Sequence, residues 1–109
     1  MLVANPELAA IYAANDDVAL GAAQAVAAAG RKGKTLVTGM NGVPPAVKAV
    51  KDGVLGMTVE LNPVSWGRLG VEVLAGYLEG RKFEQRVFIK HLIIDDGNVD
   101  EVLARLPKS

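Results

Sequence analysis

The chain has 109 residues, one domain's worth, enough to bury roughly two thirds of the surface it would expose unfolded and too few for a second full domain. Twelve basic and twelve acidic side chains cancel, so no general field gathers nucleic acid or an anionic membrane. The lack of cysteine excludes disulfides and thiolate metal sites and suits an exported protein as well as a cytosolic one. The first ten residues, MLVANPELAA, carry no basic residue ahead of the apolar ones and no long apolar core. They read as neither a signal peptide nor a membrane span, so an exported parent would carry its signal outside this chain.

Asn5-Pro6-Glu7 predicts a helix start of one or two turns, with Asn5 capping and Pro6 at the first helical position. A first strand follows over roughly residues 9 to 14 and stops at Asn15-Asp16-Asp17. Asn15 or Asp16 can cap the next helix, whose Val18, Ala22, Ala25, Val26 and Ala29 share one face at helical spacing. The opposite face carries Leu20, Ala23 and Ala27, which predicts a helix buried on both sides, ended by Gly30. After the basic loop RKGK, the segment TLVTG predicts a second strand running into Met40-Asn41-Gly42.

Pro44 and Pro45 suit the first turn of a helix carrying Val47 and Val50, closed by Gly53. A third strand is expected over roughly Gly56 to Leu61, broken by Asn62-Pro63. Trp66, Leu69, Gly70, Val73, Leu74, Tyr77 and Leu78 then recur at the spacing of an amphipathic helix, which Gly80 ends. The run VFIKHLII predicts a fourth strand before the turn at Asp95-Asp96-Gly97. Asn98 with Glu101 resembles a capping box for a last helix carrying Val99, Val102, Leu103 and Leu106. The order β-α-β-α-β-α-β-α implies a single three-layer α/β unit over residues 1–109, a mostly parallel sheet of about four strands with helices on both faces.

In open parallel α/β sheets, ligands bind at the carboxyl ends of the strands, which is where Asn15 and Asn41 fall. The amide of Asn15 offers one acceptor and two donors to a polyhydroxyl ligand, although on residue type alone a helix cap is the commoner role. Asp16 and Asp17 suit cap and first-turn charges. Trp66 could stack on a sugar face, but its place in the apolar stripe makes it a core or interface residue. His91 stands alone, with no nucleophile motif and no second histidine to share a metal, so it reads as a strand residue. Asp95-Asp96-Gly97-Asn98 lacks the ligand spacing of a calcium loop. GMNG matches no phosphate-loop pattern, so neither a nucleotide cofactor nor a metal is expected.

The stretch AIYAANDDVALGA resembles the strand-to-helix segment of sugar-binding proteins of the type 1 periplasmic-binding-protein superfamily. TGMNGVPPAVKAVKDG is similar to that family's next strand, ligand loop and helix. GMTVELNPVSWGRLGVEVLAGYLEGRKF is similar to its hinge-crossing strand and the helix after it. The resemblance covers nearly the whole chain and implies the carboxyl-terminal part of a two-lobed, non-enzymatic solute-binding protein serving an ABC transporter. In that family two lobes close on a sugar, and the closed form is recognised by a membrane permease. The parent would therefore be periplasmic or otherwise extracytoplasmic.

The resemblance also turns Asn15 from cap to sugar contact, as the Asn of the family's ND pair. Asn41 stands where many members have Asp in a G-x-D-G loop, keeping hydrogen bonding without the charge. Met40 takes a place that often lines the cleft, with ordinary strand core as the other reading. The family's third polar contact, commonly Gln or Asn, falls here on Leu61. Glu60 or Asn62 could substitute, though strand alternation turns Glu60 away from Leu61. The expected ligand set is thus Asn15, Asp16, Met40, Asn41 and Glu60, with a sugar or polyol as partner.

Residues 62–80 are expected to reach toward the other lobe. The fold and the ND and G-x-D-G segments are also those of lac-repressor-like effector domains, which add a DNA-binding helix-turn-helix. A small flavodoxin-like enzyme is a further reading, supported only by the β/α order. With the amino-terminal lobe missing, the helix after Asn62 would leave its apolar stripe in water. The isolated chain is then expected to fold that helix back onto its own sheet or, as the favoured outcome, to form a homodimer.

Overall fold

In the computed structural model, which describes residues 1–107, strands and helices alternate as the sequence implies. They run β1 (Ala10–Tyr12), α1 (Asp16–Ala28), β2 (Leu36–Thr38), α2 (Pro44–Lys51), β3 (Thr58–Glu60), α3 (Pro63–Leu78), β4 (Leu92–Ile94) and α4 (Val99–Arg105). β1 and β2 pair in parallel with Ile11 opposite Val37. Parallel bridges from Thr38 to Met57 and from Asn41 to Glu60 carry the arrangement on to β3. The first three strands therefore end at one edge. β4 closes the row antiparallel to β3, with Thr58 opposite Ile94.

The core lies between this sheet and α1, α2 and α4. α1 packs on β2 and α2, and α2 packs on α4, so these helices share one face. The physical reason is chirality, because two right-handed crossovers that step the same way across a sheet place both helices on the same side. Alternation along the strands agrees with it. Val37, Thr58 and Ile94 are buried beneath the helices, whereas Tyr12, Leu36 and Ile93 on the opposite face are exposed. The α/β class with parallel strands is the one the sequence implies, but among the described residues no second helical layer covers that opposite face.

α1 shows the same one-sidedness. Asp16, Ala19, Ala23 and Val26 are its buried residues, while Val18 is more than half exposed, so burial on both sides is not found. Among the described residues, α3 packs extensively on neither face of the sheet. Gly76 is its one buried residue, against Phe83 and Arg81, which follow the helix. Its projection explains a radius of gyration of 17.8 Å and a longest dimension of 59 Å, where a closely packed chain of this length would have a radius of about 13 Å. The apolar side of α3 and residues 81–89 enclose an open concavity of about 760 Å³. The expectation that α3 folds back onto its own sheet is therefore not met.

Three local expectations change. Asn5-Pro6-Glu7 forms turns rather than a helix, with Asn5 N–H donating to the Met1 carbonyl. The VFIKHLII strand shortens to Leu92–Ile94 because its one partner among the described residues is β3, which ends at Glu60 opposite Leu92. Asn62, in the left-handed region at φ 46°, then turns the chain away from the sheet. Asn98 does not close a capping box. Its side chain reaches back instead, accepting from Asp95 N–H at 3.1 Å and donating to the Ile93 carbonyl at 2.8 Å.

Candidate functional site

Two loops meet where β1 and β2 end. Asn15 has extended backbone, and its Oδ1 accepts the Val18 N–H at 2.9 Å, satisfying one free donor of the first turn of α1. The next residue, Asp16, donates its N–H to the Met40 carbonyl at 2.9 Å. Together with Ala13 N–H donating to the Thr38 carbonyl at 3.0 Å, that bond ties the end of β1 to the end of β2, and Asn15 and Asn41 fall on either side of it. The Asn15 cap leaves its Nδ2 amide without an acceptor among the described residues, and the exposed Asn41 side chain makes no hydrogen bond with them.

Asn41 lies at φ 126°, a region that non-glycine residues seldom occupy and that Asn tolerates better than most. Its N–H donates to the Val59 carbonyl at 2.8 Å, and its carbonyl accepts from Leu61 N–H at 3.4 Å. Gly42 follows at φ 72°, where a Cβ would stand 2.8 Å from Glu60 Cα. Only glycine allows β3 to come this close. Met40 and Leu61 are both half-buried beside Asn41.

Glu60 is half-buried at the end of β3 and accepts a charged hydrogen bond from Arg105 of α4 at 2.9 Å. Its carboxylate is thus already engaged on one oxygen. Asn62 lies one step further along and caps α3 through Ser65 N–H at 3.1 Å.

Asp16 differs from the other expected contacts. It is 1% exposed, and its carboxylate points into the protein. Thr58 Oγ1 donates to Oδ1 at 2.6 Å and Val43 N–H donates to Oδ2 at 2.9 Å. Gly39 makes room for it, since a side chain there would overlap Oδ1. The carboxylate expected to face a ligand is therefore engaged by the loop after β2 and by Thr58. Thr58 is wholly buried and carries no sequence signal for this role, because nothing local in TVE marks a threonine whose partner lies 42 residues earlier.

Trp66 and His91 lie just beyond the end of β3, where Leu92 pairs with Glu60. Their rings meet edge to face with centroids 5.6 Å apart, joining the start of α3 to the chain returning toward β4. Asp95 Oδ1 accepts from Gly97 N–H at 2.9 Å, as an Asx turn does. Among the described residues no group of three His, Cys, Asp or Glu side chains is placed to hold a metal ion, and no helix is long and apolar enough to cross a membrane. The edge offers free amides, one paired carboxylate and flanking Met40 and Leu61, which is chemistry for hydrogen bonding and apolar contact with a neutral polar molecule.

The class that this fold and edge define is confirmed by comparison. The family model described as a periplasmic binding protein domain matches residues 1–82, and the chain belongs to that family. It is 47% identical over 74 residues to the D-allose-binding periplasmic protein of Escherichia coli K12, covering 68% of this chain and 24% of that protein. To the ribose import binding protein of Salmonella typhimurium LT2 it is 42% identical over 86 residues, covering 79% of this chain and 29% of the relative. The crystal structure of a periplasmic ribose ABC transporter protein from Conexibacter woesei superposes with a TM-score of 0.83 at 33% identity, covering 96% of this chain and 36% of that one. The chain thus spans only 24% to 29% of the length of these two curated relatives.

Proposed function

We propose that this chain is the carboxyl-terminal part of the sugar- or polyol-binding component of an ABC transporter, supplying one half of a two-lobed cleft. The observation that carries the reading is the Asp16 to Met40 backbone bond, which aligns Asn15 and Asn41 with unspent amide groups at the carboxyl edge of a parallel sheet. Met40 would line the cleft between them, and Glu60 would present the carboxylate oxygen that Arg105 leaves free. Asp16 belongs to the site as its support. The relatives' names, D-allose-binding and ribose import binding, point to the same ligand chemistry.

In the parent protein the ligand would bind the closed arrangement better, because only there do both lobes touch it, and so shift the population toward the form a membrane permease recognises. The parent is then an extracytoplasmic binding protein rather than an enzyme. Residues 62–80 would reach into the other lobe. In the isolated chain, the exposed stripe of α3 would pair with its counterpart in a two-fold dimer.

Thermal unfolding of the chain in D-ribose, D-allose, D-fructose or myo-inositol, set against ATP and NAD, tests the reading. At least one sugar or polyol should raise the midpoint, as binding to the folded state requires. Stabilisation by a nucleotide alone would overturn it.

A further inference from the structure

The buried carboxylate at the end of β1 is the least expected charged group in the molecule. We infer that Asp16, acting through Thr58, is the positioning residue of the ligand edge: it holds the loop of residues 41–43 in the one conformation that sets Asn41 beside Asn15. The inference rests on the reading of that edge as a sugar site.

Consider the three successive N–H groups of the loop. Asn41 donates to Val59 carbonyl, Gly42 donates to Thr58 Oγ1 at 3.3 Å, and Val43 donates to Asp16 Oδ2 at 2.9 Å. Two of the three therefore depend on the Asp16 and Thr58 side chains. Thr58 fills both of its roles at once, accepting from Gly42 and donating to Asp16 Oδ1. A buried carboxylate needs such donors, and the loop needs such acceptors.

The loop does not hold itself. Gly42 at φ 72° adopts its turn freely, as glycine can, but Asn41 at φ 126° departs from strand geometry in a way that persists only where surrounding contacts determine it. Asp16 supplies those contacts from both ends, its own N–H on Met40 ahead of Asn41 and its carboxylate on Val43 behind it. Because Asn15 is its chain neighbour, the residue that fixes Asn41 is also locked to Asn15. The pair of amides is thus aligned by one residue, through its backbone N–H and its buried carboxylate.

A purely structural role would cost stability alone, whereas a positioning role also costs affinity in molecules that are fully folded. Thr58→Val keeps the shape and removes the hydroxyl, Thr58→Ser keeps the hydroxyl, and Asp16→Asn confronts the Val43 N–H with an amide. Each is made in this chain and followed by amide NMR, with D-ribose, D-allose and myo-inositol as titrants, at a temperature where the fold is intact. Thr58→Val should move the Gly42 and Val43 amide signals, speed their exchange, and weaken the best sugar about tenfold. Thr58→Ser should restore all three. If Asp16→Asn does not fold, the Thr58 pair still decides the matter. Unmoved amide signals with Thr58→Val, or lost stability with unchanged affinity, would overturn the inference. Absence of any sugar response in the unsubstituted chain would sink the sugar reading, and the amide signals would still judge the clamp.

Discussion

α1 and α3 begin alike and end in different surroundings. Each starts at an asparagine whose side chain accepts from the residue three places on, Asn15 from Val18 and Asn62 from Ser65. Each carries an apolar face. α1 lays Ala19, Ala23 and Val26 into the core, whereas Val71, Leu74, Tyr77 and Leu78 of α3 are all at least 60% exposed. The difference teaches that helical periodicity specifies a face to be covered but not what covers it. For α1 the cover is β2 and α2 of the same chain; for α3, among the described residues, it is only the segment 81–89 that follows the helix and the ring of His91.

The largest expected effect lies in the covered half. Ile94 is fully buried between β3 and the helices, and Ile94→Ala should lower unfolding free energy by about 2 to 5 kcal/mol, the usual cost of such a cavity. Denaturant titration of the chain would measure it. A loss below that range would mean that the sheet and its single helical layer are looser than the packing indicates, and the contrast with α3 would weaken.

Gly42→Ala comes next. A Cβ there meets the β3 backbone and strains a positive φ, so the change should cost about 1 to 3 kcal/mol. The cost should appear together with altered amide signals at Asn41 and Leu61, which hydrogen-bond each other. Asn15→Ala should be milder for folding, about 1 kcal/mol for a lost cap. In a protein carrying both lobes, it should weaken sugar binding by about 1 to 3 kcal/mol, the penalty for leaving a buried partner group unpaired. Titration calorimetry beside a melting curve separates the two effects, and unchanged affinity would leave Asn15 as a cap only.

What could be read beforehand follows from locality. Asn15 and Asn41 stand where apolar runs stop at polar residues, a signal carried within a few positions, and their proposed role as sugar contacts comes from the family resemblance alone. Asp16 was legible as a residue of that edge but not as a buried one, because its partners Val43 and Thr58 lie 27 and 42 residues away. The length of β4 was misread for a related reason. Residues 87–91 are apolar enough for a strand, but strand formation needs a neighbour, and β3 has already turned away at Asn62. The placing of α1, α2 and α4 on one face depended on the order of strands across the sheet, which periodicity does not encode.

The smallest expected effect on folding sharpens the contrast most. Leu78 is 76% exposed and Tyr77 69% exposed, so Leu78→Ser and Tyr77→Ser should each change unfolding free energy by no more than about 0.5 kcal/mol. Their effect on association should be larger. Exposed apolar faces of this kind mark sites of contact with another surface, and burying one such side chain contributes about 1.5 to 3 kcal/mol. A two-fold pairing of α3 counts each substitution twice, once on either side of the axis. Sedimentation of the unsubstituted chain at increasing concentration should therefore show a dimer that the double substitution shifts to monomer, with the melting of the sheet and its helices unmoved. A chain that stays monomeric throughout would leave α3 free for the second lobe proposed above, and a substitution that melted the body would show that α3 is not independent of it.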